Sequence, residues 1–577
     1  MQWVQNLLLK PKVLFCLKRK ENSYCLILFN EYNGISNIMD VVESLKLKIQ
    51  KACASLGQEV ALNDIVIERT KDTAHGDYAT NAAMKFSRLF GMNPRLLAES
   101  IIKSTDLDGI DHIEIAGPGF INFFMKNDSL TIVVKKVISE GDNYGRGEKK
   151  NKKINVEFVS AHPTGLLHVG TARGAAYGDS LCRILSFAGY DVTREYYIND
   201  AGVQIFHLGE SVEARYKELL GLPFTLPEDG YHGEDVKDVA KQILEESGKE
   251  LLSKPNHLQF FMQRGMEIEL ERIKKHLEEF RVTFDVFSSE KAIRSNDAIE
   301  KELTFLKPYT YEQDGAIYLR TTDFLDDKDR VVRKSDGDYT YFMPDIVYHV
   351  NKMSRGFDQL IDVLGADHHG YINRMKSALM MHGYKPESLE IELIQMVRFI
   401  KDGKEFKASK RAGDAITLKD ICEEVGVDAM RYFFAMRAQS GHLDFDMDLA
   451  KEQSSNNPVY YAQYAHARLC SILEQGKDIP LDESGNLLSE ESEMAILKHL
   501  ASFNKAIEDA VRERAPFKIT NYIHDLAELI HNFYSECRVI DRGNLVVSSS
   551  RLALCLACKI VLKNALGLVG VRAPEHM

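Results

Sequence analysis

The stretch INVEFVSAHPTGLLHVGTARG, residues 154–174, decides the fold. INVEFVS has the β-branched and aromatic density of a buried strand, and AHPTGLLHVGTARG (161–174) is a Pro- and Gly-containing loop running directly into the helical pattern TARGAAYGDSLCRILSFAGY. A second strand, VTREYYI, and a helix from Asp200 follow. Strands alternating with helices at this spacing predict right-handed crossovers and a parallel, doubly wound sheet. A second such half appears in FDQLIDVLGADHHGY (357–371), a helix, and IELIQMVRFI (391–400), with a polar, mostly helical insertion at about 210–280 between the halves. At the carboxyl end of a parallel strand, a loop entering a helix presents backbone N–H groups where phosphate is stabilised. His168 within it can donate to an oxygen whose charge grows when phosphorus is attacked. Neither G-x-x-x-x-G-K-[ST] nor a G-x-G-x-x-G between strand and helix is present, so this is no Walker loop or dinucleotide fingerprint.

A His-x-Gly alone is more often a structural turn, so the loop needs a partner. KDGKEFKASKRAGD (401–414) supplies one after a strand of the second half, with Lys401, Lys404, Lys407, Lys410 and Arg411 among small flexible residues. Such a loop can close on a polyphosphate and release it; taken singly, a solvated basic loop is an equal reading.

Outward from this core, residues 39–130 mix helical stretches with short β-rich ones such as DIVIER and EIAGPGFINFFM, an α+β pattern. GDNYGRGEKKNKK (141–153) reads as a linker. Beyond about 417 the helical period dominates, predicting an all-α module. The expected domains are a 1–38 extension, an α+β unit at 39–130, a Rossmann-like domain at 131–450 and a helical bundle at 451–577. Met39 opens a clean amphipathic helix and is an alternative start, with 1–38 non-essential. The 577 residues suit several domains. A formal charge of -12 excludes a uniformly basic nucleic-acid coat and leaves room for a local basic groove. Nine sparse, uneven cysteines are unlike a disulfide framework and point to a reducing cytoplasm. Cys555 and Cys558 form a C-x-x-C inside an apolar helical pattern, without the further ligands a structural zinc needs, so no metal site is expected. No uninterrupted apolar run of about 18 residues occurs, so no membrane span is expected.

HVGT followed far downstream by KASKR resembles the two signature motifs of class I aminoacyl-tRNA synthetases, usually His-Ile-Gly-His and Lys-Met-Ser-Lys-Ser. VEFVSAHPTGLLHVG, REYYINDAG, GADHHGY, DAMRYFF, HLDFDMDLAKEQSSNNPVYYAQYAHAR and LGLVGVRAPEHM resemble the arginyl-tRNA synthetase family of bacterial type, from about residue 40 to 577. The resemblance implies ATP-dependent activation of L-arginine to an adenylate and transfer to the terminal adenosine of tRNA(Arg). Magnesium would accompany ATP, and no prosthetic group is implied. Activation would require bound tRNA, and the working unit would be a cytoplasmic monomer without membrane association. His168, Gly170, Thr171, Lys407 and Lys410 would be catalytic. His162, Pro163, Thr164, Gly165, Ser409 and Arg411 would join them around ATP.

A guanidinium is planar, permanently charged and best matched by carboxylates. Aligning FDVFSSE and YFMPD with the family's motifs assigns Glu290 and Asp345 to it, beside Tyr341. Glu157, Asn199 and His368 would sit near the α-amino group or ribose, with His162 also at the amino acid. The N-terminal unit carries TAHGDYATNAAM, in which His75, Gly76, Asp77, Tyr78 and Asn81 match the family's tRNA-elbow module; a helix cap with a packed Tyr is an equal reading of the residues alone. In PVYYAQYAHARLCSIL, the i, i+4 pair Tyr460 and Tyr464 is expected to face the core, leaving Tyr461 and Arg468 for the anticodon stem and loop. Three residues depart from the family pattern: His162 for Asn, Thr171 for the second His of the first motif, and Ala408 for the Met of the second. A tRNA-binding relative without catalysis, or a small nucleotidyltransferase, are the alternatives; the latter explains neither flanking domain.

Overall fold

The computed structural model describes residues 15–20, 23–28, 41–70, 75–294, 297–406 and 416–577. Lys407, Ser409, Lys410, Arg411 and most of the 1–38 extension lie outside the described residues. The chain divides into two compact units, Met1–Ile132 and Val133–Met577.

In the first unit a four-stranded antiparallel sheet, in the order Glu68–Arg69, Tyr78–Thr80, Phe120–Met125, Ile110–Ala116, packs with the helices Val41–Ser55, Ala82–Phe90 and Pro94–Ser104. Leu45, Ile49, Leu97, Ile101, Ile121 and Phe123 form its core, the helical residues recurring at one-turn spacing.

The second unit is built on five parallel strands: β1 Lys153–Glu157, β2 Asp191–Ile198, β3 Val286–Ser289, β4 Gln359–Gly365 and β5 Leu389–Ile394. Their order, β5-β4-β1-β2-β3, reverses direction between β1 and β4. Loops leaving the carboxyl ends of those two strands splay apart, which makes the ligand crevice of a doubly wound sheet. Helix α1, Val169–Phe187, leaves the loop after β1 and is buried along most of its length. Gly178 is required there, because a Cβ would lie 2.4 Å from Cγ of Phe158. The insertion forms three helices, Val203–Leu219, Glu234–Ser247 and His257–Glu279, around Leu208, Val212, Phe261 and Ile268.

Two local expectations change. GDNYGRGEKKNKK is docked rather than a free linker: Tyr144 is buried, its hydroxyl donates to Leu500 O at 2.8 Å, and Asn564 Nδ2 donates to Gly141 O at 3.0 Å. HLDFDMD, placed in the helical region, forms the strand Leu443–Asp446 parallel to Val397–Lys401, since Leu443 and Phe445 alternate into the core.

Five helices, from Pro458–Gln475 to Leu545–Leu568, form the C-terminal bundle. Leu545–Leu568 is long and apolar enough to cross a membrane, but 56% of its apolar window is buried inside the bundle. Cys555 and Cys558 belong to this core, burial pushing the Cys555 thiol up to about 12. Among the described residues no cluster of His, Cys, Asp or Glu has metal-binding geometry.

Candidate active site

The carboxyl end of β1 opens into a backbone of unusual geometry. Val159 and Ser160 have φ of 70° and 42°, a left-handed conformation that is costly for a β-branched residue. Four contacts hold it: Ser160 Oγ donates to Glu157 Oε1 (3.0 Å), Tyr197 N donates to Ser160 Oγ (3.0 Å), Asn199 Nδ2 donates to Ser160 O (3.1 Å), and Tyr196 Oη donates to Ala161 O (2.7 Å). Strand β2 thus clamps the start of the loop that carries His162, Pro163, Thr164 and Gly165. His162 is exposed at its surface, while Pro163 and Thr164 are buried and set the turn.

His168 is the N-cap of α1, whose first residue, Val169, lies two residues before the start that the sequence pattern suggested. Its Nδ1 accepts from Gly170 N at 2.9 Å, and Thr171 N donates to His168 O at 2.9 Å. A neutral imidazole that accepts at Nδ1 carries its proton on Nε2, so Nε2–H is the donor left for a ligand. Partial desolvation lowers the ring's pKa and favours this neutral form at pH 7.

The residues that follow the far-downstream basic segment meet this loop directly. Val169 N donates to Ile416 O (3.1 Å), Leu418 N donates to Leu167 O (2.8 Å), and His168 and Thr417 form a β-bridge. On the other side of the lysine-rich loop, Asp402 and Gly403, with φ of 51° and 68°, turn the chain tightly between Val397–Lys401 and Lys404–Glu405. Lys401 is tied to Glu424 at 2.7 Å, whereas Lys404 is exposed.

An acidic recess lies at the ends of β1 and β3 and the first turn of helix α2, Phe342–Ser354. Burial does most to raise the pKa of the Tyr197 hydroxyl; Glu290, Asp345 and Glu157 raise it further and Arg294 lowers it, so these four charged side chains lie around one hydroxyl. Glu290 opens a short helix after β3, braced by Asp200, whose carboxylate accepts from Ser289 Oγ (2.6 Å) and Lys291 N (2.8 Å). Asp345 accepts from the Tyr371 hydroxyl, and burial, with Glu157 and Glu290 adding to it, pushes its carboxyl up to about 6. Tyr341 is 82% exposed at the mouth, and His368 is half-exposed in the turn after β4, next to Tyr371.

Beneath the recess runs an ionic cluster that sequence reading missed. Lys352 is fully buried and its Nζ donates to Glu157 Oε2 (2.8 Å) and Asp362 Oδ1 (2.7 Å); His349 Nε2 lies 2.6 Å from Asp362 Oδ2. The two carboxylates hold the ammonium above its ordinary pKa despite burial. Glu157 is therefore engaged by Lys352 and Ser160, and it acts on the loop as a brace. The buried Glu195 of β2 is a second brace, accepting from Asn155, Ser288, Tyr348 and Arg355 at 2.6–2.9 Å. The only sequence signal for either was an ionisable residue within a strand or helix pattern, which does not by itself separate a buried residue from an exposed one.

Elsewhere the predicted contacts are rearranged. In the N-terminal unit His75 and Asn81 are exposed, but Tyr78 is 2% exposed, so its ring is core and offers no stacking face. Gly76 (φ 85°) sits against Phe123, and Asp77 accepts from Met125 N at 2.7 Å. In the bundle the expected core pair is partly outside. Tyr464 is 40% exposed and stacks on Tyr460 at 6.1 Å, because the small residues Ala462 and Ala465, with Leu469, take the core face. Tyr461 packs on His531 (4.5 Å), which also meets Tyr464 (5.9 Å), and Arg468 lies 5.7 Å from the ring of Tyr464 and 3.6 Å above that of Tyr534, so Tyr460, Tyr461, Tyr464 and Arg468 belong to one aromatic surface carrying a guanidinium.

A parallel sheet with a His-capped loop at its switch point, stitched to the residues that follow a distant lysine-rich segment, is the architecture of a class I aminoacyl-tRNA synthetase. Residues 133–451 match the family described as tRNA synthetases class I (R), catalytic domain. Residues 43–125 match the arginyl tRNA synthetase N terminal domain, and 462–577 the DALR anticodon binding domain. The chain belongs to the arginyl-tRNA synthetase family. It is 50% identical to the arginine–tRNA ligase of Anoxybacillus flavithermus over 93% of this chain and all of that one, and 50% identical to that of Bacillus subtilis over 94% and all, respectively. The arginyl-tRNA synthetase of Thermus thermophilus shares the fold, with a TM-score of 0.73 at 20% identity, covering 93% of this chain and 100% of that one.

Proposed function

We propose that the chain activates L-arginine with ATP and transfers it to the 3'-terminal adenosine of tRNA(Arg). The observation that carries this reading is the joining of Leu167, His168 and Val169 to Ile416, Thr417 and Leu418, which supports a phosphate site between the two signature loops. The arginine carboxylate attacks the α-phosphorus of ATP and pyrophosphate leaves; the ribose hydroxyl of the tRNA then attacks the adenylate's carbonyl carbon, breaking the bond to phosphate and releasing AMP. His168 Nε2–H and the Thr171 hydroxyl, at the start of α1 beside Gly170, hold phosphate oxygens, and Lys407 and Lys410, with Ser409 and Arg411, neutralise departing pyrophosphate. His162, Pro163, Thr164 and Gly165 line the ATP side. Glu290 and Asp345 receive the guanidinium beside Tyr341, with His368 towards the ribose. His75, Asn81, Tyr461 and Arg468 contact tRNA. Magnesium accompanies ATP, and the working unit is a cytoplasmic monomer, as the family resemblance implies.

The test is arginine-dependent ATP–pyrophosphate exchange by the full chain, with and without total tRNA, other amino acids serving as controls. Exchange with arginine only when tRNA is present is expected. No exchange from protein that still binds tRNA would favour a binding protein, with His162 and Thr171 as the changed residues responsible.

A further inference from the structure

The acidic recess already contains a guanidinium belonging to the chain itself. Arg294 Nη2 lies 2.5 Å from Glu290 Oε1, and the side chain of Glu290 is only 9% exposed. The guanidinium is poorly satisfied: its buried Nε finds no hydrogen-bond partner among the described residues. No lysine or arginine among those residues forms an ion pair with Asp345. Glu290 is one helical turn from Arg294 and is braced by Asp200, so the pair can open by rotation of the arginine side chain while Glu290 stays in place. A landing place is at hand, since Arg294 Cζ is 5.9 Å from the centre of the exposed Tyr341 ring.

We infer that Arg294 is a built-in competitor for the arginine subsite, occupying Glu290 in the free enzyme and yielding it to the substrate guanidinium. This rests on the assignment of Glu290 and Asp345 to that guanidinium. Substrate wins because it can satisfy both carboxylates with a planar fork, whereas Arg294 reaches Glu290 and leaves Nε unpaired. Displacing Arg294 costs the same for any ligand that enters, so the competitor raises KM by one factor for arginine and for lysine-like side chains alike, and the preference for a planar fork rests with the two carboxylates. An ordinary i, i+4 helix pair that merely holds the Glu290 rotamer would have the opposite consequence.

The experiment measures the KM for arginine in tRNA-supported ATP–pyrophosphate exchange, using full-length Arg294→Ala, Arg294→Met and Glu290→Gln. Removal of a half-exposed competitor is expected to lower KM by about fivefold in both Arg294 variants, with a much smaller change in kcat. Arg294→Met keeps the length and helix propensity of the side chain, so agreement of the two variants excludes a folding artefact. Glu290→Gln is expected to raise KM by about tenfold or more. A raised or unchanged KM in both Arg294 variants, together with a raised KM in Glu290→Gln, overturns the role of Arg294 alone. An unchanged KM in Glu290→Gln overturns the subsite assignment, and the competitor with it.

Discussion

Asp345→Asn is expected to make the protein more stable at pH 8 while sharply reducing arginine activation. Burial, with Glu157 and Glu290 nearby, moves the Asp345 carboxyl from 3.8 to about 6. A folded-state pKa above the unfolded one means that folding favours the neutral acid. That stabilisation is fully present below pH ~4 and is lost as the pH rises through about 6, so above it the fold carries the cost of a buried charge. A gap of roughly two pKa units corresponds to about 3 kcal/mol, and relaxation around the ionised group brings the expected gain to about 2 kcal/mol. Asparagine preserves the acceptor for Tyr371 and removes the charge. Urea unfolding of variant and parent without ligand, at pH 8 and again at pH 4, reads the difference. It should be near 2 kcal/mol at the higher pH and close to zero at the lower. In the exchange assay the variant should lose on the order of a hundredfold in kcat/KM for arginine, as one partner of a buried charge pair is missing. For the parent, kcat/KM should fall as the pH drops below about 6, because the free enzyme's Asp345 becomes neutral. A variant no more stable than the parent at pH 8, or a gain equal at both pH values, would refute the reasoning.

The two roles of His168 can be separated: Asn restores a cap for the Gly170 N–H but not the Nε2 donor. His168→Asn should therefore match the parent's melting temperature and lose about a hundredfold in exchange, while His168→Ala loses that activity and about 1 kcal/mol of stability as well; equal activity of His168→Asn and the parent would remove the donor role. Lys352→Met leaves Glu157 and Asp362 buried without their cation and should cost about 3–5 kcal/mol in urea unfolding, a cost that shrinks as those carboxylates protonate at low pH. Lys410→Ala should reduce exchange strongly with little change in unfolding midpoint; unaltered turnover would remove its role at the pyrophosphate.

Much of this protein was legible in the chain because the deciding information is local. The β-branched run before a Gly- and Pro-containing loop, the strand–helix alternation and the helical period after Pro458 each depend on neighbours within a few residues. Signature motifs are equally local, so His168, Glu290 and Asp345 could be named before their geometry was known.

Tertiary structure decided what depends on residues meeting from far apart. HLDFDMD became a strand because Val397–Lys401 offered an edge to pair with. Tyr464 turned outward because small residues took the core face, a choice that i, i+4 spacing does not express. Lys352 reads as an ordinary helix lysine until Glu157 and Asp362 arrive from two strands to neutralise it. The strain at Val159 exists only because β2 and Glu157 hold Ser160. Local pattern sets backbone periodicity, since that energy is summed over near neighbours. Burial, charge pairing and strain are summed over contacts, and contacts are fixed only once the sheet order has brought β1 beside β4.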